Sequence, residues 1–221
     1  MKQTLLIVFL GLGLFTLAAC GRGDKEAPMP SAENKETVEQ ELKTDNSVVV
    51  DGNYQINTAE SRLAWHGAKI VGSSHTGTAP LRSGSLQVSA GKLSGGEFVV
   101  DLAALKSDEG IEGLENHLKS ADFFDVATYP EAKLMITEVK NGDTAGLYQV
   151  MADLTIKGVT APVSFLAKVQ GEGEGLIATT EFKIDRTVWG LQYGSGKFFQ
   201  DLGDKVISDD IEFNVSLSAQ R

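Results

Sequence analysis

The stretch Gln149-Val-Met-Ala-Asp-Leu-Thr-Ile-Lys-Gly-Val-Thr-Ala-Pro-Val-Ser-Phe-Leu-Ala-Lys-Val169 decides the fold class. Val150, Ala152, Leu154 and Ile156 share one parity against Gln149, Met151 and Asp153; beyond Lys157-Gly158, Val163, Phe165, Ala167 and Val169 oppose Ser164 and Lys168. A period of two marks strands with one buried face. The two residues Lys157-Gly158 can turn an antiparallel hairpin, but they cannot carry the crossover that a parallel pair requires.

The same alternation continues on both sides. Leu63 and Trp65 alternate with Arg62, Ala64 and His66; Phe98, Val100 and Leu102 share a parity; Leu134 and Ile136 flank a parity opposite Lys133. Ala178, Phe182 and Ile184 oppose Thr179, Glu181 and Lys183, and Ile211, Phe213, Val215 and Leu217 oppose Glu212, Asn214, Ser216 and Ser218. Turn residues at Ala90-Gly91-Lys92, Asn141-Gly142-Asp143 and Glu172-Gly173 separate these runs closely enough for hairpins. Only Ile111 to Phe124 has helical spacing, with Leu114, His117 and Leu118 three and four residues apart. The reading is all-β, about eight antiparallel strands with one short helical insertion, and the period fits a closed barrel or a sandwich equally.

Composition narrows the function classes. With 221 residues, 42% hydrophobic and 23% charged, the chain suits one globular domain with attachments and excludes a disordered or multi-span protein. Its formal charge of −10 repels phosphate backbones, so no nucleic-acid partner is expected. Cys20 is the only cysteine, which removes intrachain disulfides and thiol metal sites.

Residues 1–19 read as a signal peptide: Lys2 supplies the positive charge, and Leu5 to Ala19 is uncharged and ends in small residues. At about 1.5 Å per residue the run is shorter than the hydrocarbon core of a bilayer. Leu17-Ala18-Ala19-Cys20 resembles the bacterial lipobox, which implies that Cys20 becomes an acylated first residue; cleavage leaving a free thiol is the alternative. Residues 20–50 then form an acidic stretch with few large apolar side chains, expected to be a flexible tether. Gly21 lacks the aspartate associated with inner-membrane retention in enteric bacteria, which favours an outer-membrane location in the envelope. Residues 51–221 are the folded domain.

No catalytic constellation emerges. His66, His75 and His117 are too scattered for a metal site. Ser73-Ser74-His75 puts neighbouring strand residues on opposite faces, leaving a hydrolase centred on His75 as a distant alternative. Gly194-Ser195-Gly196-Lys197 has Leu191 where a phosphate loop needs glycine and Phe198 where it needs a hydroxyl. Asp209 and Asp210 face apart and are expected in solvent. No enzyme activity, cofactor or metal is expected. The inward apolar faces either fill a dry core or line a cavity.

Five blocks carry a family resemblance. They are Tyr54-x-Ile56 with Ser61 and Trp65; His75-x-Gly77; Leu118-Lys119-Ser120-x-Asp122-Phe123-Phe124-Asp125 with Tyr129-Pro130; Leu154-Thr155-Ile156-Lys157-Gly158-Val159-Thr160-x-Pro162-Val163; and Phe182-x-Ile184-Asp185-Arg186-x-x-Trp189-Gly190. In this order they resemble the YceI-like, lipocalin-like family of bacterial exported proteins. The resemblance implies a lipocalin-like antiparallel barrel with an apolar interior that binds polyisoprenoids or other long-chain amphiphiles. It makes the chain a lipid-anchored envelope protein that binds or sequesters a long-chain isoprenoid, quinone or similar lipid, with the membrane reached through Cys20. The alternative is a structural or stress-associated envelope protein with a filled core. Within the resemblance, Trp65, Leu154, Phe165, Phe182, Ile184 and Phe213 are the candidate chain-contacting residues, chosen by parity and size. Arg186 is the candidate for a polar or phosphorylated head group, or else a structural partner of Asp185 or another acid. Oligomeric state is left open.

Overall fold

The computed structural model describes residues 49–221; the lipobox cysteine and nearly all of the expected tether lie outside them. The elements are β1 (Gly52–Ile56), β2 (Arg62–Lys69), β3 (Ser74–Thr78), β4 (Leu81–Ser89), β5 (Lys92–Asp101), β6 (Lys106–Ser107), α1 (Glu112–Lys119), β7 (Glu131–Asn141), β8 (Leu147–Ile156), β9 (Val159–Glu172), β10 (Gly175–Asp185) and β11 (Ile207–Gln220). Single 3-10 turns occupy Arg186–Trp189 and Gly203–Lys205.

Every pairing is antiparallel. The order β1-β4-β5-β7-β8-β9-β10-β11 closes because β11 returns to β1 through Ile56 and Ala219, and farther along to β2 through Leu63 and Val215. β1 and β2 are thus successive segments beside one long partner, as are β3 and β4, and β5 and β6. Eleven segments therefore make an eight-stranded barrel. One break falls at Ala79-Pro80, where proline has no N–H for the ladder. Closure decides between the two architectures that the alternation allowed, and it pairs strand edges that a sandwich would expose.

The hairpin of residues 149–169 has the register read from its parity: Ile156 faces Val159, Leu154 faces Ala161 and Val150 faces Phe165. Lys157 and Gly158 both have positive φ, 50° and 75°, the geometry whose twist matches a two-residue hairpin. Counting by twos from this turn, the even residues of β9 direct their backbone groups toward β10. Yet β9 and β10 pair only between Ala167–Glu172 and Gly175–Thr180. Thr160 to Leu166 therefore present an unpaired edge, and Pro162 lies on it, where its missing N–H costs no ladder bond. Side chains close this seam: Phe165 and Phe182 stack at 4.7 Å, Phe213 follows at 5.3 Å, and Thr180 Oγ1 donates to the Leu166 carbonyl at 2.7 Å.

The helix is shorter than its spacing suggested, Glu112–Lys119 rather than Ile111 to Phe124. Ser120 stops it: its hydroxyl donates to the His117 carbonyl, and its backbone turns extended. Phe123 and Phe124 thereby leave the helix and turn toward the barrel interior. At its other end α1 is fastened by Glu115, whose carboxylate accepts from the Ser107 N–H at 3.0 Å and from Lys106 Nζ at 3.1 Å. The Ser107 N–H, and then Lys106, hold that carboxyl below the ordinary range. A lowered folded value means that this contribution is present above the unfolded pKa, about 4.3, and is lost as pH falls through the folded value. Melting temperature followed from pH 7 to pH 3 is therefore expected to fall less steeply in Glu115→Gln than in the wild type; parallel curves would show that the carboxylate does not couple α1 to the barrel.

Trp65 on β2 lies over Gly77 on β3, its register partner. A Cβ at Gly77 would overlap both the Trp65 ring and the Lys106 carbonyl. Gly77→Ala is expected to cost about 2 kcal/mol through this overpacking, measured by urea unfolding; a loss below about 0.5 kcal/mol would show that β6 yields freely.

Candidate functional site: an apolar cavity open at the helix end

The barrel interior divides into two regions. At the end carrying the Ala90-Gly91 turn, Tyr54, Leu86, Val150, Leu176 and Ala219 are all buried to 2% exposure or less and belong to one apolar cluster. At the other end, a second cluster gathers Leu102, Phe123, Leu154, Ile184, Trp189 and Leu191. Trp189 is fixed there by its indole N–H, which donates to the Leu154 carbonyl at 2.8 Å. Inside the barrel lies a cavity of about 570 Å³.

The strands aim mostly apolar side chains into this space, because inward positions recur by twos. Five of the six apolar candidates line it: Trp65, Leu154, Phe165, Phe182 and Phe213. Ile184 does not. Although it points inward, it is buried in the Trp189 cluster at 5% exposure. Parity identified its face, but the 3-10 turn after β10, which packs Trp189 and Leu191 beside it, has no periodic signature.

The mouth lies at the end carrying α1. Lys69, Ser73 and His75 from the β2–β3 hairpin, His117 from α1, and Tyr193 and Lys205 from the segment before β11 border it. His117 meets the Tyr193 ring edge-on at 4.6 Å and the Phe123 ring at 5.1 Å, so aromatic packing joins helix and loop. Neither Tyr193 nor His117 was a sequence-derived site candidate: the segment 190–206 lacks periodicity, and contacts between distant loops leave no local pattern.

Arg186 lines the cavity but is only 1% exposed, and its donors are engaged. Its Nε donates to the Ser208 carbonyl at 2.9 Å, Nη2 to the Ile207 carbonyl at 3.3 Å, and Nη1 to the Leu191 carbonyl. Asp209 stands 3.6 Å from Nη2. Burial, partly offset by Asp209 and Asp185, lowers the guanidinium's pKa from its ordinary value. The head-group role expected of Arg186 does not fit, because these bonds commit it to holding the loop before β11 against the end of β10. The structural alternative fits, with Asp209 as the acid. Asp209 is correspondingly not a solvated carboxylate: its side chain is 18% exposed and also meets Lys197 Nζ at 3.2 Å. Lys197 reaches Asp185 as well, at 2.6 Å, so the Gly194-Ser195-Gly196-Lys197 stretch is a structural clasp with Ser195 fully buried.

The histidines each lie beside a carboxylate: His66 by Glu212 at 3.1 Å, His117 by Asp122 at 3.3 Å and His75 by Glu109 at 3.5 Å. No group of three or more potential metal ligands occurs among the described residues.

Residues 54–219 match the YceI-like domain over most of the chain. The chain belongs to the YceI-like family. A "UPF0312 protein" of Shewanella denitrificans is 32% identical over 109 residues, covering 46% of this chain and 56% of that protein. Another from Pseudomonas putida is 42% identical over 80 residues, 32% of this chain and 41% of the relative. The matched stretch thus spans about half the length of these curated relatives. Among solved structures, BcnA of Burkholderia cenocepacia superposes with a TM-score of 0.63 at 20% identity, covering 75% of this chain and 99% of that one. A polyisoprenoid binding domain from Saccharophagus degradans, implicated in plant cell wall breakdown, gives 0.58 at 19% identity, covering 76% and 97%. At these identities the structures share the YceI-like barrel with this chain.

Proposed function

We propose that this YceI-like barrel takes up one long apolar chain, a polyisoprenoid, quinone or similar lipid, and that Cys20 anchors it as an envelope lipoprotein. The carrying observation is the cavity, apolar over nearly all its wall and opening among polar residues at one end. An interior that lacked any ligand would leave the surrounding Phe and Leu side chains without packing partners, which is costly in a core. This argues against the filled-core alternative. The polyisoprenoid binding domain of Saccharophagus degradans, with the same barrel, supports the ligand class.

Size sharpens the reading. At roughly 30 Å³ per atom, the share of a water in the liquid, 570 Å³ accommodates on the order of 20 carbons. Four isoprene units fill it; a longer chain leaves its head-group end at the mouth. At about 0.8 kcal/mol per buried methylene, that tail alone supplies ample affinity, reduced by lost rotamers and by competition from membrane.

The experiment is denaturation of protein purified from its native envelope, with mass spectrometry of the released lipid, followed by titration of lipid-free protein with a polyprenyl phosphate, a quinone and a fatty acid. One chain per barrel is expected. No co-purified lipid and no saturable binding by folded protein would remove the carrier reading. Separately, Cys20→Ser is expected to abolish acylation and detergent-phase partitioning with the barrel still folded. Aqueous partitioning of the correctly processed wild type would remove the anchor.

A further inference from the structure

Four large apolar side chains stand in solvent beside the mouth. Ile70 and Val71, at the tip of the β2–β3 hairpin, are 65% and 59% exposed; Phe198 and Phe199, in the segment before β11, are 49% and 48% exposed. A backbone bond ties the hairpin to the segment before β11, the Ile70 N–H donating to the Val206 carbonyl at 2.9 Å, and within that segment the Ile207 N–H donates to the Gly194 carbonyl at 2.8 Å, so the two loops form one rim. Lys69 and Lys205, which border the cavity, belong to the same rim and have no ion-pair partner among the described residues. Exposed apolar side chains on two loop tips beside lysines are the arrangement of a surface that dips into lipid.

We propose that this rim docks on a lipid bilayer surface, placing the mouth against the membrane from which the chain is drawn. The inference rests on the carrier reading above. Three observations favour a bilayer over a second copy or another protein. First, the rim is continuous with the apolar cavity, so docking joins two apolar phases and spares the ligand a passage through water. Second, with about 200 Å² per large side chain and half of it exposed, the four residues offer roughly 400 Å², half of the roughly 800 Å² that each partner buries in a stable protein interface. Third, a bilayer is within reach of the anchor. The described chain starts at the opposite end of the barrel, where Asp51 accepts from the Ala90 and Gly91 N–H groups. The 30 residues from Gly21 to Val50 span up to about 100 Å. The longest strands, β9 and β11, have 14 residues each and measure at most about 48 Å. An anchored chain can therefore pass the barrel and still let the mouth face its own membrane. Asp201 and Asp204 in the same segment offset the lysines, so apolar insertion, more than charge, drives the contact.

The test uses residues 20–221 with Cys20→Ser, expressed without the leader and so lacking both it and the acyl anchor, and co-sedimentation with vesicles of phosphatidylethanolamine and phosphatidylglycerol, three to one, and of pure phosphatidylcholine. Saturable binding to both compositions is expected. It should weaken at least ~tenfold when Ile70, Val71, Phe198 and Phe199 are all replaced by Ser, and remain unchanged in Met135→Ser with Leu166→Ser, which removes exposed apolar side chains from the barrel wall. Absence of vesicle binding, equal losses in the rim and wall variants, or a dimer in solution that the rim variant dissolves would overturn the proposal. Titration of both variants with a detergent-dispersed quinone separates it from the carrier reading. Quinone bound but vesicles ignored ends the docking surface alone; vesicles bound through the rim but no quinone, polyprenyl phosphate or fatty acid taken up ends the carrier reading.

Discussion

Aspartate at Val150 is expected to unfold the barrel, while aspartate at Met151, the next residue, is expected to leave it standing. Val150 is 1% exposed in the cluster at the Ala90-Gly91 end, against Phe165 on one neighbouring strand and Val139 on the other. Aspartate there loses the apolar burial of valine and leaves a carboxyl with no donor placed to receive it; together these cost more than ~4 kcal/mol, a large part of a domain's usual stability of about 5–15 kcal/mol. Met151 points outward at 38% exposure, and its substitution should change stability by less than about 0.5 kcal/mol. Urea unfolding of the pair measures the difference. Phe165→Asp and Phe213→Asp should lie between these limits, because both residues are only half-buried and a carboxylate there keeps part of its hydration. Comparable losses at Val150 and Met151 would mean that the parity of β8 is misassigned.

That contrast also shows what local sequence carries and what it does not. The parity of β8 and β9 was legible because alternation is a property of consecutive residues, and so were the Lys157-Gly158 turn and the antiparallel class. Closure was not legible from the period: whether the last strand returns to the first depends on twist and stagger accumulated over the whole sheet. The family blocks, read residue by residue, carried that step. Within the site, Phe165, Phe182 and Phe213 were found by parity, whereas Ile184 has the same parity and sits under Trp189 instead. A cavity is a space left between elements, so no residue announces it. The mouth is harder still. Tyr193 comes from an aperiodic connection and His117 and Phe123 from the helical insertion and the turn after it, and they meet only because both segments cross the same end of the barrel.

Arg186→Ala is expected to be the second most damaging change, and its pattern of losses separates two roles for this side chain. In sequence, an arginine after the inward run of β10 suggests a phosphate ligand near a barrel end. In the structure, three backbone carbonyls and Asp209 already surround the guanidinium. Alanine would strand those carbonyls and leave Asp209 to Lys197 alone, a loss of about 3–5 kcal/mol by analogy with breaking a buried pair from one side. The loop holding Tyr193, Phe198 and Phe199 would loosen with it, since Leu191 and Ile207 are the points at which Arg186 grips that loop. Binding of polyprenyl phosphate, quinone and fatty acid should therefore fall together, in step with a lowered melting temperature. Arg186→Lys keeps the charge but cannot reach three carbonyls at once, so it should show the same pattern to a smaller degree. Loss of the phosphate-bearing chain alone, at unchanged melting temperature, would return Arg186 to the head-group role and require the guanidinium to leave its carbonyls when ligand arrives.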